Sequence, residues 1–151
     1  MIDPNVVGQV VDEVRMPVER GKVIELARAL FDDSPVYSDP EAAAAAGFAG
    51  VPAPLTYSVV AMHWRERDDD RMVEELGLDV ARVLHGQVSW TYLAPVHVGD
   101  ELHGVRRVTD VATKQGSRGG TMTILSLETE YTNQHGTVVL RQADKLIERG
   151  A

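Results

Sequence analysis

The hydrophobic pattern of the chain changes its period near the middle. Over residues 20–30, Val23, Ala27 and Leu30 share one face while charged side chains occupy the other, and this spacing predicts a short amphipathic helix. Beyond about residue 80 the apolar positions alternate with polar ones. That period of two, broken by Gly-containing turn signals, predicts four strands at residues 83–93, 101–110, 121–132 and 137–147.

Two further helices are predicted between the first helix and the strands. Asp39 precedes Pro40, and the alanine run that follows ends at Gly47. An N-cap, a proline in the first turn and a glycine C-cap therefore predict a helix over 40–46. After the prolines of "VPAPL", apolar residues surround most of a third helix at about 54–67, which we expect to be buried on several sides.

Helices followed by a run of antiparallel strands are typical of the α+β class. The weakly alternating "GQVVDEVRMPV" at residues 8–18 adds a first strand. A chain of 151 residues has the usual size of one domain. We therefore expect a single domain over residues 1–151, in which an antiparallel sheet of about five strands wraps around the central helix.

Composition and charge exclude several classes of function. A net charge of −8 argues against nucleic acid as a partner, because phosphate recognition requires clustered Lys and Arg. No apolar run approaches the roughly 20 residues of a membrane span, and the N-terminus lacks a signal-peptide pattern. We expect a cytoplasmic protein with no membrane insertion. The chain has no cysteine, so disulfides and thiolate zinc sites are excluded.

Few side chains are candidates for chemistry. The carboxylate pair Asp32 and Asp33 follows the first helix, where a negative charge is unfavourable, although solvated loop acids are the commoner role of such pairs. The start of the third helix offers backbone N–H groups to an oxyanion. In "HVGDELH" we read Gly99-Asp100 as a hairpin turn, and we expect neither a metal site nor a cofactor. The residues alone therefore leave the function open.

The segment "RGKVIELARALFDDSPVYSDPEAAAAAGFAGVPAPLTYS" resembles the hydratase motif of the MaoC-like hydratase and dehydratase family, which has the hot-dog fold. The family pattern is Gly-Asp-x-Asn-Pro-(Ile/Leu)-His, followed by an Ala-rich helix. Asp32 stands at the catalytic Asp of this pattern and Tyr37 at the catalytic His. "LHGQVSWTYLAPVHVGDEL" resembles the long hot-dog strand and its hairpin. The resemblance is closest to N-terminal-type domains, including the small non-catalytic subunits of actinobacterial (3R)-hydroxyacyl dehydratases.

The resemblance implies an active site that lacks catalytic groups. In the family, Asp and His hold the water that adds to a trans-2-enoyl thioester, and a backbone N–H binds the enolate oxygen. Tyr37 cannot replace the His near neutral pH, because an unperturbed phenol titrates near ~10. Leu55 stands where the family has Gly, and its side chain would obstruct the thioester carbonyl. We therefore expect the chain alone to be a poor catalyst.

Hot-dog domains pair, and in the family the acyl chain runs between the partners. The resemblance therefore implies a subunit that binds an acyl-CoA or acyl-carrier-protein thioester, as a homodimer or as a heterodimer with a catalytic MaoC-like chain. The residues expected to line the acyl tunnel are Tyr37, Leu55, Thr56, Tyr57 and His85. An acidic carrier protein would require a basic cluster, for which the candidates are Arg106, Arg107, Lys114 and Arg118.

Three alternatives remain open. The chain could be a self-sufficient enoyl-CoA hydratase that combines Asp32 with a recruited His63 or His85. It could be a hot-dog thioesterase, in which a carboxylate activates water against the thioester carbonyl. It could also be a structural homodimer without a thioester site.

Overall fold

The computed structural model describes residues 2–66, 69–115 and 120–150. Within these residues, five strands form one antiparallel sheet in the order β1-β3-β4-β5-β2. The strands are β1 Val10–Pro17, β2 Val83–Tyr92, β3 Glu101–Gln115, β4 Thr121–Thr132 and β5 Val138–Glu148. The alternating pattern is confirmed at all five places, and β3 runs beyond the predicted end at residue 110.

The first two helices also form where the sequence predicts them. They are α1, Arg20–Ala29, and α2, Pro40–Ala45. Asp39 caps α2, since its side chain accepts a 2.9 Å hydrogen bond from the Glu41 N–H. Gly47 follows α2 with φ +90°, a left-handed conformation that favours glycine. In the described parts of the chain, no helix is long and apolar enough to cross a bilayer.

The third helix differs from the prediction. An α-helix at about 54–67 was expected, but the structure has a 3₁₀ helix, Tyr57–His63, which we call the central 3₁₀ helix. Residue 67 lies outside the described residues. The first turn closes between Tyr57 N–H and Pro54 O at 2.8 Å. Two preceding prolines and a Ser-Val-Val run favour this short element, because serine and β-branched residues are poor α-helix formers.

A helix that the sequence analysis did not predict follows it. This helix is α3, Asp69–Glu75, in the acidic stretch that was treated as a boundary. Met72 and Val73 are buried among the side chains of α3 that the structure describes. The spacing of Met72, Val73 and Leu76 was a helical signal, but the surrounding charges obscured it.

Two apolar clusters fill the side of the sheet that faces the helices. The first packs around Tyr57 of the central 3₁₀ helix, with Met16, Tyr131 and Leu140 from three strands. The second packs around Met72 of α3, with Leu125 and Leu127 of β4, Leu146 of β5 and Val108 of β3. The central 3₁₀ helix and α3 therefore cover different halves of the sheet.

The turn at Gly99-Asp100 is present but does not form the expected hairpin. Gly99 has φ +96°, and the Asp100 N–H donates to His97 O at 3.1 Å. β2 lies at the edge of the sheet beside β5, whereas β3 pairs with β1 and β4. The segment between β2 and β3 is therefore a crossover along the sheet, which local turn chemistry does not distinguish from a hairpin.

Candidate functional site

The end of α1 places Asp32 in the loop that follows. Phe31 adopts a left-handed conformation with φ +56°, and the Asp32 N–H donates back to Ala27 O at 2.9 Å. Glycine is usual at such a position, because a side chain there is strained. The side chain of Phe31 is 96% exposed. The Asp32 carboxylate then accepts a 3.1 Å hydrogen bond from the Ser34 N–H, which fixes the start of the next turn.

Tyr37 completes this turn and lies against Asp32. Pro35–Tyr37 form a short 3₁₀ helix. Burial of the phenol raises the pKa of Tyr37 above its ordinary value, and the charge of Asp32 and its hydrogen bond to the phenol raise the pKa further. The phenol therefore keeps its proton near neutral pH and acts as a hydrogen-bond donor to the carboxylate.

Asp32 and Tyr37 line one small pocket. Its volume is about 250 Å³, and α1 contributes Ile24, Ala27 and Arg28 to its walls. Asp33 lines it as well. The structure therefore brings Asp32 and Tyr37, the two motif positions that the sequence pointed to, into one pocket.

The three consecutive residues Leu55, Thr56 and Tyr57 have different surroundings. The side chain of Leu55 is 69% exposed, while its carbonyl accepts a hydrogen bond from the Tyr92 hydroxyl. Thr56 is half-buried and precedes the central 3₁₀ helix. Tyr57 is buried in the first apolar cluster, and its hydroxyl donates to Pro17 O at 3.2 Å. Tyr57 thus ties the central 3₁₀ helix to the end of β1.

His85 lies in a different cavity. This cavity has a volume of about 330 Å³ and is bounded by the central 3₁₀ helix, α3, β2, β3 and β5. The Nε2 atom of His85 is 3.4 Å from Oδ1 of Asp144. His63 lies at the end of the central 3₁₀ helix. Neither histidine lines the Asp32 pocket.

Asp144 and its neighbour Gln142 were missed by the sequence analysis. Both lie on β5 between the inward-facing Leu140 and Leu146. A polar residue at such a strand position is a signal in its own right, since the alternation of β5 predicts an apolar side chain there.

The candidate basic residues do not form one patch. Arg106 is buried and pairs with Asp144 at 3.3 Å, whereas the next residue, Arg107, is exposed. Successive residues of a strand point to opposite faces, so the two guanidinium groups diverge. Arg118 lies outside the described residues. Within the described ranges, no three His, Cys, Asp or Glu side chains converge as they would around a metal ion.

The sequence of residues 5–142 matches the family described as FAS1-like, dehydratase domain region. The chain belongs to this family. One relative is the UPF0336 protein of Saccharopolyspora erythraea. It is 37% identical to this chain over 135 residues. The match covers 88% of this chain and 81% of that protein.

Two solved structures share the fold of this FAS1-like dehydratase-region protein. One is the C-terminally truncated HadBC (3R-hydroxyacyl-ACP dehydratase) complex from Mycobacterium tuberculosis, with a TM-score of 0.76 at 22% identity over 94% of this chain and 96% of that one. The other is the MaoC-like dehydratase from Rhodospirillum rubrum, with a TM-score of 0.66 at 24% identity over 96% and 93%. The α+β hot-dog fold and the resemblance to MaoC-like dehydratases are confirmed.

Proposed function

We propose that this chain is the acyl-thioester-binding subunit of a MaoC-like (R)-specific enoyl-CoA hydratase or 3-hydroxyacyl-thioester dehydratase. A partner chain supplies the Asp-His dyad, and this chain supplies one wall of the acyl tunnel. The observation that carries the proposal is the contact between Tyr37 and Asp32. A phenol whose pKa is raised occupies the position at which the family motif has an imidazole.

Hydration of an enoyl thioester needs a group that accepts and returns a proton near neutral pH. The Tyr37 phenol fails this requirement, because burial and the Asp32 carboxylate both favour its protonated form. Asp32 keeps a carboxylate, but its neighbour in the pocket is a phenol rather than an imidazole that could share the proton transfers. Leu55 stands at the position of the family glycine. Both departures support a binding role rather than turnover.

The edge of the sheet supports the presence of a partner. β2 is an edge strand, and its outer backbone edge has no neighbour within the described residues. Exposed apolar side chains lie near it, namely Leu55, Val59, Met62, Leu84 and Leu93. An edge strand with an apolar rim is suited to pairing with another sheet. The HadBC relative is itself a complex. We therefore place a second hot-dog chain at β2, in the cytoplasm, with the acyl tunnel between the two chains.

Co-expression tests this function. The chain is purified alone and together with a MaoC-like chain that retains Gly-Asp-x-Asn-Pro-x-His, and both preparations are assayed with crotonyl-CoA and a longer trans-2-enoyl-CoA. We expect hydration only in the presence of the partner. Turnover by the isolated chain at the rates usual for enzymes, about 1 to 1,000 per second, would contradict the proposal.

Two other readouts of the same preparations identify the alternatives. Release of free CoA thiol would indicate a thioesterase. Absence of saturable acyl-CoA binding, with or without the partner, would indicate a structural homodimer. The recruited-histidine alternative is disfavoured, because Asp32 and His85 line separate cavities.

A further inference from the structure

A row of polar side chains crosses the helix-facing side of the sheet, with one residue from each strand. Antiparallel pairing places Asp12 of β1 opposite Arg106, Arg106 opposite Thr129, Thr129 opposite Gln142, and Gln142 opposite Trp90. Directly opposed residues point to the same face. This polar row lies between the two apolar clusters. Because burial of polar groups is unfavourable unless they are hydrogen-bonded, the polar row requires specific partners.

Three members of the polar row, Trp90, Gln142 and Arg106, belong to a set of hydrogen bonds that converges on Asp144. Trp90 Nε1 donates to Ser58 Oγ at 2.9 Å, and Ser58 Oγ donates to Gln142 Oε1 at 2.7 Å. Gln142 Nε2 then donates to both carboxylate oxygens of Asp144 at 3.1 Å. Arg106 Nη2 donates to the same carboxylate at 3.3 Å. The side chain of Asp144 is 2% exposed, so its carboxylate is held in one orientation by donors on two strands.

A β-bulge brings His85 to this carboxylate. The register of β2 against β5 pairs His85 with Leu146 and Gln87 with Lys145, so Gly86 is the extra residue. With regular pairing, Gly86 would face the cavity and His85 the opposite side. A Cβ at Gly86 would lie 2.6 Å from Ile147 Cδ1, so a larger residue there would require the Ile147 side chain to move. The bulge thus places His85 Nε2 within 3.4 Å of Asp144 Oδ1.

The contact with Asp144 sets the hydrogen-bonding character of His85. An ionised carboxylate only accepts hydrogen bonds, so the Nε2 atom of a neutral His85 carries the hydrogen and donates it. Nδ1 then holds a lone pair and is an acceptor. The side chain of His85 is 54% exposed, in contrast to that of Asp144. Since His85 lines the cavity, Nδ1 is the acceptor that the imidazole can offer to a ligand there.

The other residues that line the cavity indicate the chemistry of the rest of the ligand. Apolar side chains come from the central 3₁₀ helix, α3 and the strands, and they include Val59, Met62, Val73, Val83 and Leu146. The charged groups are largely compensated, since Arg106 pairs with Asp144 and Arg65 pairs with Asp12 at 2.9 Å. Asp70 also lines the cavity, and its carboxylate opposes an anionic ligand. A ligand that suits this cavity is therefore uncharged, carries a hydrogen-bond donor and has a hydrocarbon chain.

We propose that this cavity binds the hydroxyl-bearing part of an aliphatic chain. His85 Nδ1 accepts the hydrogen bond from the hydroxyl, and Asp144 is a positioning residue that orients the imidazole. The volume of about 330 Å³ is in the usual range of a small-molecule site. That the aliphatic chain is the acyl group of a thioester rests on the proposed function, whereas the hydroxyl site itself does not.

The test compares 1-octanol with its isomer 1-methoxyheptane, which has the same atoms but no hydrogen-bond donor. The intact chain is titrated with each compound while the imidazole carbon and proton resonances are followed by NMR, with His85 assigned from its variant. We expect 1-octanol to shift the His85 resonances saturably and to bind roughly three- to tenfold more tightly than the ether. Equal affinities, or no saturable shift with either compound, would overturn the proposal.

Variants separate the hydrogen bond from general hydrophobic binding. His85→Phe keeps an aromatic ring at the cavity but removes the acceptor, and we expect it to abolish the preference for 1-octanol. His103→Phe is the matched control, since His103 lies on β3 beside Glu13 and does not line this cavity. The preference must survive in this control. A preference that persists in His85→Phe would refute the assignment.

The positioning role of Asp144 has its own readout. In the wild type, imidazole ¹⁵N shifts should show a hydrogen on Nε2 and none on Nδ1 for neutral His85. We expect Asp144→Asn to lose this tautomer preference, which a purely structural role would not affect. If that variant fails to fold, the His85→Phe result still decides the proposal. The affinities for 1-octanol and 1-methoxyheptane are measured on this chain without a partner chain. A negative result in this test can therefore be distinguished from a negative result in the co-expression assay.

Discussion

Trp90 Nε1 donates a 2.9 Å hydrogen bond to Ser58 Oγ, and this contact joins the edge strand β2 to the central 3₁₀ helix. The same hydroxyl donates to Gln142 on β5 at 2.7 Å. One buried serine thus connects three elements that lie far apart in the sequence. Its contribution can be measured, because serine to alanine removes the hydroxyl with little change in volume.

Ser58→Ala should lower the free energy of unfolding by about 1–3 kcal/mol, since it leaves the Trp90 N–H and the Gln142 carbonyl without their buried partner. Urea denaturation followed by fluorescence measures the change. Ser89→Ala, at an exposed position of β2, is the control and should differ little from the wild type. An equal loss in both variants would contradict the importance of the Ser58 hydrogen bonds.

Gly104→Ala should destabilise the protein by about 1–3 kcal/mol through overpacking. A Cβ at Gly104 would lie 2.6 Å from Tyr131 Cε1 and 3.0 Å from Val14 Cγ1, both in the first apolar cluster. Gly21→Ala is the matched control. Apart from its chain neighbours and the backbone of α1 itself, no atom lies within 4 Å of a Cβ at this position, so the same change should stabilise by up to about 1 kcal/mol. Thermal unfolding of the two variants should shift in opposite directions.

Tyr37→His, combined with Leu55→Gly, should give the isolated chain measurable enoyl-CoA hydratase activity. The imidazole would then stand beside Asp32, where the structure has a phenol, and Leu55→Gly would restore the glycine of the family pattern. Tyr37→Phe with Leu55→Gly is the control, since it removes the hydroxyl without adding a proton shuttle. Hydration of crotonyl-CoA by both double variants would show that the imidazole is not responsible.

Asp32→Asn should lower the pKa of Tyr37 towards its ordinary value, because the carboxylate raises that pKa through its charge and its hydrogen bond. Some elevation should remain, since burial is the largest cause. NMR titration of ¹³C-labelled tyrosine measures the pKa, with Tyr37→Phe for assignment. Asp33→Asn is the control: Asp33 is not among the causes of the shift, and its removal should leave the titration unchanged.

The folded chain should lose stability as the pH rises from about 10 to about 12. Burial raises the pKa of Tyr92 to about 12, with a smaller contribution from Tyr131. The unfolded chain releases this proton near ~10. The stabilisation is therefore complete below the unfolded pKa and is lost as the pH approaches the folded one. Tyr92→Phe should flatten the dependence of urea midpoints on pH. Part of the dependence should remain, because the pKa values of Tyr37, Tyr57 and Tyr131 are also raised.

Local patterns in the sequence accounted for much of the fold. Alternation located the strands, the Asp39 cap and Gly47 located α2, and the motif around Asp32 and Tyr37 indicated the family. These features depend on neighbours within a few residues, which periodicity and capping report directly. The single domain over residues 1–151 and the tunnel-lining roles stay predictions.

Other features depend on contacts between distant parts of the chain. The sequence did not reveal that β2 pairs with β5 rather than β3, or that the central helix is a 3₁₀ helix. Nor did it reveal that the bulge at Gly86 turns His85 towards Asp144, a partner 59 positions away. Packing against the sheet selects such arrangements from several that are locally acceptable, because burial and hydrogen bonding across strands outweigh the small differences in local propensity.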